Sequence, residues 1–179
     1  MNILSTLLGS ENVIISFDAG AVIFLFIAGF FWGLQAGKRR ILLFILSIYG
    51  SVAVVAFSPI LQEITLRFRT FSSESIAWIT VGLFALMTVI FYYVFSGTRV
   101  KLVLPLPKWR KGNQFPHILV LSIATVGLLI TVLISLGLEI VSPYISQLTE
   151  SVFLSNVGQI AWFLLPLPAI FATAKYKKE

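Results

Sequence analysis

Residues 28–40, with the sequence Ala28-Gly-Phe-Phe-Trp-Gly-Leu-Gln-Ala-Gly-Lys-Arg-Arg40, decide the fold. Gly29, Gly33 and Gly37 are spaced four residues apart, so on a helix they lie on one face and leave it without side chains. A smooth face in an apolar segment is typical of a transmembrane helix that packs closely against a neighbour. The three cations at the end of the stretch indicate where this helix reaches the cytoplasmic surface.

The composition of the chain excludes an ordinary soluble domain. Of its 179 residues, 58% are hydrophobic and 11% are charged, whereas a soluble domain carries about a quarter charged residues. We therefore expect one all-α membrane domain over residues 1–179. The chain has no cysteine, which excludes disulfides and thiolate metal sites. The net charge of +6 is better explained by cations next to anionic lipid than by nucleic-acid binding.

Five apolar segments predict a polytopic bundle of five spans, over residues 13–36, 41–61, 76–96, 115–138 and 152–174. The first two are so close in sequence that they must form an antiparallel hairpin, which places Gly50 opposite the glycine face. The last segment is the weakest, and its Pro166 and Pro168 are expected to kink it. The alternative is four spans with an amphipathic tail on the outer surface.

Two stretches between spans predict small interfacial helices. Residues 60–75 alternate in polarity like a strand, but an isolated strand has no partner, so we favour an amphipathic helix followed by a cap at Ser73 or Ser75. Residues 139–152 are expected to begin a second one at Ser142-Pro143. Its apolar face would be formed by Ile140, Val141, Tyr144, Ile145 and Leu148.

The distribution of cations predicts the orientation. With five spans and the N-terminus outside, every lysine and arginine except Arg67 and Arg69 lies on the cytoplasmic side. The predicted C-terminus is therefore cytoplasmic. The cations expected to face anionic lipids or partner proteins are Lys38, Arg39, Arg40, Lys108, Arg110 and Lys111.

Three polar residues in or near the spans are candidates for a polar site. Asp18 lies about one turn inside the first span and is either a hydrated interfacial acid, which we favour, or an ion contact. Asn156 and Gln159 either bond a neighbouring helix, which we favour, or line a polar pocket. Because the chain shows no catalytic motif, we expect no enzyme, no cofactor and no metal.

The glycines of the first two spans are the candidate packing residues. Gly29, Gly33, Gly37 and Gly50 are expected to allow close packing within the chain, since the second span is tethered beside the first. The same surface is the alternative site for a homo-oligomer or for another membrane protein.

The order of features resembles the colicin V production (CvpA-type) family of bacterial inner-membrane proteins. Asp18 opens the first apolar helix, and Gly29-Phe-Phe-Trp-Gly33 leads to Gly37-Lys-Arg-Arg40 and directly into a second helix. That helix ends at Ala56-Phe-Ser-Pro59, and Ser151-Val-Phe-Leu-Ser155 is similar to the family's serine-bearing tail. The similarity is clearest over residues 17–61.

This resemblance implies a non-enzymatic membrane protein linked to peptide-toxin production and export and to maintenance of the cell envelope. A different class of function is also open. The chain is alternatively a small channel or transporter subunit, with an outer-side polar cavity near Asp18, Asn156 and Gln159.

Overall fold

A computed structural model describes residues 17–57, 72–97 and 115–173, and nearly all of these are helical, with no strand among them. Three helices are long and apolar enough to cross a membrane: α1 (Phe17–Phe57), α2 (Ser73–Gly97) and α3 (Phe115–Leu136). The predicted all-α fold is confirmed for the described residues, and so is the presence of helices long and apolar enough to span a membrane. A fourth candidate is a bent pair near the C-terminus, so the predicted count of five stays a prediction.

The first helix reverses its direction at Gly37. Its backbone there leaves the helical region, with φ 74° and ψ 163°. The ring centroids of Trp32 and Phe44 are 5.3 Å apart, although twelve residues of straight helix would separate them by about 18 Å. We therefore describe α1 as two arms, residues 17–36 and 38–57, that form a helical hairpin.

Both arms pack along α3, and they do so in opposite directions. The first arm places Gly33 against Ser122, near the start of α3, and Val22 in the cluster that contains Ile134, near its end. The second arm begins near the start of α3 and ends near its other end. The clusters that show this contain Ile41, Ile45, Ile118 and Leu121, and then Ile48, Val55, Leu128 and Val132.

The third helix is the centre of the bundle, and the second helix lies at its edge. In the most apolar 18-residue stretch of α3, 67% is buried, against 11% for the corresponding stretch of α2. Phe84 is fully buried and anchors α2 to the second arm and to α3. The α2 helix begins at Ser73, and its cap is Ser72, whose hydroxyl accepts the Ser75 N–H at 3.3 Å. The predicted cap at Ser73 or Ser75 was wrong, because both residues lie inside the helix. The capping residue is the one before the helix begins, and its hydroxyl accepts the N–H three residues later.

The chain after α3 is a series of short pieces and not one amphipathic helix. These pieces are α4 (Leu138–Val141), a 3₁₀ turn (Ser142–Tyr144), α5 (Gln147–Thr149) and a π-helical turn (Glu150–Leu154). Ile145 and Ser146 are extended, and the Ser146 side chain caps α5 by accepting the Thr149 N–H. The predicted continuous apolar face was therefore wrong: Tyr144 and Leu148 are exposed, while Ile145 packs towards α3.

The last apolar stretch is bent by 55° between Gln147–Leu154 and Asn156–Ile170. The helices that follow the bend are α6 (Asn156–Leu164) and α7 (Pro166–Thr173). Ser155 is extended, and its hydroxyl accepts the Gly158 N–H at 3.0 Å as the cap of α6. The 55° bend lies at Ser155, which the sequence did not predict. A second break, at Leu165 directly before Pro166, separates α6 from α7, so the helix is also interrupted at the predicted proline position. Pro166 is tolerated because it opens α7, where its missing N–H leaves no helical bond unmade.

Several predicted features lie outside the described residues. These are the leader before residue 17, the interfacial helix predicted within 60–75 up to residue 71, and the basic loop with Lys108, Arg110 and Lys111. The side chain of Asp18 and the C-terminal lysines lie outside them as well.

Candidate functional site

The glycine face of the first arm, formed by Gly29 and Gly33, packs directly against α3. A methyl group added at Gly29 would overlap Cγ2 of Val126, and one added at Gly33 would overlap Oγ of Ser122. The Gly33 position also lies 3.3 Å from Cδ1 of Ile41 on the second arm. The main neighbour of the glycine face is therefore α3, with a smaller contact to the tethered second arm.

Gly50 and Gly37 differ from these two glycines. A Cβ at Gly50 would lie 3.4 Å from the ring of Phe91, so this glycine brings the second arm close to α2 but leaves room for a methyl group. The prediction that Gly50 lies opposite the glycine face was therefore wrong, because Gly50 is on the side of the second arm that packs against α2. Nothing lies within 4 Å of a Cβ at Gly37. The prediction that Gly37 is a packing residue was wrong, because its positive φ makes it the turn residue of the hairpin.

A cavity of about 430 Å³ lies between the two arms and α3, and we call it the hairpin cleft. Its walls are formed chiefly by apolar side chains, among them Leu25, Trp32 and Phe44 from the arms and Val126 from α3. Leu25 and Trp32 are 47% and 40% exposed, so the cleft opens on the outer surface of the bundle. A cavity of this size and lining is typical of sites for apolar ligands, which measure about 300–1,000 Å³.

Ser122 and Thr125 are the two hydroxyl-bearing residues in the wall of the hairpin cleft, and Ser122 is the unusual one. Its side chain is 3% exposed, and its Oγ is the one buried side-chain N or O atom without a hydrogen-bond partner in the described part of the chain. Other buried hydroxyls, including those of Ser47, Thr125 and Thr131, donate to the carbonyl four residues earlier. An unpaired buried hydroxyl is uncommon and requires an explanation.

Two further cavities lie next to each other on the other side of α3. The first, of about 450 Å³, is formed where α2 begins and α3 ends, and its polar residues are Ser73, Thr80, Ser135 and Glu139. The second, of about 170 Å³, has Thr131, Ser135 and Gln159 in its wall. Ser135 lines both cavities, so polar groups continue from the end of α3 into the bundle.

The predicted polar residues are only partly brought together. Gln159 is half-buried and faces Thr131 and Ser135, whereas Asn156 is exposed at the start of α6 and is not in the wall of that cavity. Sequence reasoning missed Thr131, Ser135 and Glu139. Thr131 and Ser135 are four residues apart and share one face of α3, and Glu139 follows four residues later in α4; this periodicity was the available signal.

The basic turn of the hairpin is described by the structure, and the other predicted basic residues are not. Arg39 and Arg40 are exposed, while Lys38 is 8% exposed. All three open the second arm of α1, directly after the break at Gly37.

No family model matches the chain, and no curated protein and no solved structure matches it. The resemblance to the CvpA-type family therefore stays a prediction. In the part of the chain that the structure describes, no three His, Asp or Glu side chains are grouped so that they could hold a metal ion.

Proposed function

We propose that the chain is a non-enzymatic multi-pass protein of the bacterial inner membrane, similar in role to the CvpA-type proteins of toxin export and envelope maintenance. The observation that supports a membrane location best is α2. This helix has a mean hydropathy of 2.0 over its most apolar stretch, yet only 11% of that stretch is buried. An apolar helix that is exposed on most sides must be covered by lipid or by a partner protein.

The hairpin makes α1 two spans, so the three long helices supply four spans of the proposed bundle. As one straight rod, the 41 residues of α1 would measure about 60 Å, twice the hydrocarbon thickness of about 30 Å. Folded at Gly37, each arm measures about 30 Å and fits a single crossing. The bent stretch Gln147–Ile170 is the fifth crossing of this proposal. The orientation with Lys38, Arg39 and Arg40 in the cytoplasm follows from the distribution of cations.

The experiment is complementation in a bacterium that carries the colicin V system and lacks its own CvpA-type protein. We expect expression of this chain to restore colicin V export. Correct insertion is verified with Arg40→Cys and Ser72→Cys, which are informative because the chain has no native cysteine. A membrane-impermeant maleimide added to spheroplasts should label only position 72. Correct labelling without any restored export would contradict the proposed role.

The second candidate function is a small channel or transporter subunit. It is favoured by Ser135, which lines both polar cavities and so places them next to each other. The polar cavity of Glu139 would open to the outside in the proposed orientation, and Gln159 lies one cavity deeper. No hydrogen bond joins the Gln159 amide to another described residue, so its donors and acceptor are available to a solute.

For this candidate we expect Gln159→Leu to reduce ion flux into liposomes by about tenfold, the effect of losing one polar contact of about 1.4 kcal/mol. Asp18→Asn should reduce it similarly. The control is Asn156→Leu, which changes an exposed residue outside the cavity wall. Equal flux through wild type and Gln159→Leu, or no flux of any small ion, would exclude this candidate.

A further inference from the structure

The hairpin cleft ends at the basic turn of the hairpin. Ile41 and Phe44 line the cleft, and Ile41 directly follows Arg40. On the other arm, Trp32 lines the cleft little more than one helical turn before Gly37. One end of an apolar cavity therefore lies beside the exposed cations Arg39 and Arg40.

We propose that the hairpin cleft and this basic turn form a binding site for one anionic phospholipid. An acyl chain occupies the cleft, and the phosphate contacts Arg39 and Arg40. The proposal rests on the membrane location argued above, and it names a specific lipid partner within that location.

The depth of the cleft matches one leaflet of a bilayer. Leu25 is the lining residue of the first arm farthest from the turn, and twelve residues of helix between it and Gly37 measure about 18 Å. Half of the hydrocarbon core measures about 15 Å. The cleft is also open at the lipid-facing side chains of Leu25 and Trp32, so an acyl chain enters it sideways without unfolding the bundle.

The two exposed arginines at the turn are unfavourable for the helix itself and favourable for an anion. Arg39 and Arg40 lie in the first turn of the second arm, where the helix dipole is positive and cations are destabilising. A phosphate there compensates both the two arginines and the dipole. One guanidinium group can donate two parallel hydrogen bonds to the oxygens of a phosphate, so the two exposed arginines are suitable phosphate ligands.

Ser122 marks the end of the cleft next to the turn. Its hydroxyl lies against Gly33, one helical turn from Gly37, at the place where a Gly33 side chain would lie. Because this hydroxyl is enclosed between the first arm and α3, the lipid is held by the apolar wall of the cleft and by the two arginines.

The test is native mass spectrometry of the full chain in a mild detergent, with phosphatidylglycerol and phosphatidylcholine added in equal amounts. We expect wild type to bind one phosphatidylglycerol in preference to phosphatidylcholine. Ala28→Phe places a ring in the cleft and should weaken phosphatidylglycerol binding about tenfold. Its matched control is Ala21→Phe, an exposed position on the same face of the same arm, two turns away and outside the cleft wall.

The charge variant Arg39→Gln/Arg40→Gln keeps the cleft and removes the anion contacts. We expect it to lose the preference for phosphatidylglycerol while still binding phosphatidylcholine. Because Arg39 and Arg40 are exposed, this double variant is expected to fold. It therefore tests the proposal even if the Ala28→Phe protein fails to fold.

Two outcomes would overturn the proposal. One is wild-type phosphatidylglycerol binding by a folded Ala28→Phe protein, and the other is an unchanged lipid preference in the double arginine variant. Failure of the membrane location is a separate result. It would appear as a chain that alkaline carbonate releases from membranes, whereas a correctly inserted chain without lipid preference would contradict only the lipid site.

Discussion

Replacing Gly29 and Gly33 together with leucine is expected to destabilise the bundle by about 2–6 kcal/mol, because each overpacked position typically costs about 1–3 kcal/mol. The added side chains would overlap Val126 and Ser122, which belong to the most buried helix of the structure. The arm can accommodate leucine only by moving away from α3. We expect a strongly reduced yield of monodisperse protein and a lower midpoint in SDS titration.

The matched control is the double variant Gly20→Leu/Gly82→Leu. Both glycines lie in long helices, and nothing lies within 4 Å of a Cβ at either position. This variant adds the same number of carbon atoms without overlap, so its unfolding midpoint should remain near that of wild type. Equal midpoints for the two double variants would show that the close approach of the first arm to α3 is wrong.

A double-mutant cycle then assigns the effect to a single contact. Gly29→Ala should be destabilising alone, and Val126→Ala should recover part of the loss by removing the methyl group that the new Cβ meets. Val126→Ala alone leaves a cavity and should also be destabilising. The expected coupling is therefore favourable. An additive result would mean that the two residues are not in contact.

The sequence predicted the kind of contact at the glycine face better than the partner. A spacing of four residues places Gly29 and Gly33 on one side of a helix whatever the fold, so a close neighbour was a sound inference. Short tethering favoured the second arm, but α3 occupies most of that side. Which helix fills a smooth face depends on side chains distant in sequence, and no local pattern contains that information.

The breaks near the C-terminus show how two local rules compete. Proline was expected to bend the last segment, yet Pro166 opens a helix and Ser155 bears the bend. A serine whose hydroxyl accepts the N–H three residues later ends one helix and begins the next. Ser146 does the same. The serine positions were visible in the sequence, but their competition with the apolar pattern was decided by packing against α3.

The contact of Trp162 with Gly127 could not be predicted from the sequence. The indole ring occupies the space where a Gly127 side chain would lie, stacks on Phe153 at a centroid distance of 5.4 Å and is near Phe26 at 6.0 Å. Its Nε1 donates to the Val152 carbonyl at 3.2 Å. This group joins α6 to α3 across 35 positions of sequence. Nothing within either segment indicates the other.

For Gly37→Ala we expect a destabilisation of about 1–3 kcal/mol, the usual cost of holding a residue other than glycine in this backbone region. The Cβ itself meets nothing within 4 Å, so the effect is one of backbone conformation alone. The control is Gly20→Ala in the first arm, where the helix is regular and alanine is favoured over glycine by about 1 kcal/mol. The two alanine variants should therefore shift the unfolding midpoint in opposite directions.

The alternative for Gly37→Ala is that α1 straightens, and the bilayer opposes this. A continuous α1 would place Lys38, Arg39 and Arg40 at the middle of a rod of about 60 Å, and burying three cations in hydrocarbon costs more than the strain at one residue. The hairpin should therefore persist in the variant, and cysteines at positions 32 and 44 should still be joined by a short bis-maleimide. A retained crosslink with an unchanged unfolding midpoint would show that the backbone at position 37 is not strained by alanine. Loss of the crosslink would show that α1 straightens and that the reversal requires glycine at this position.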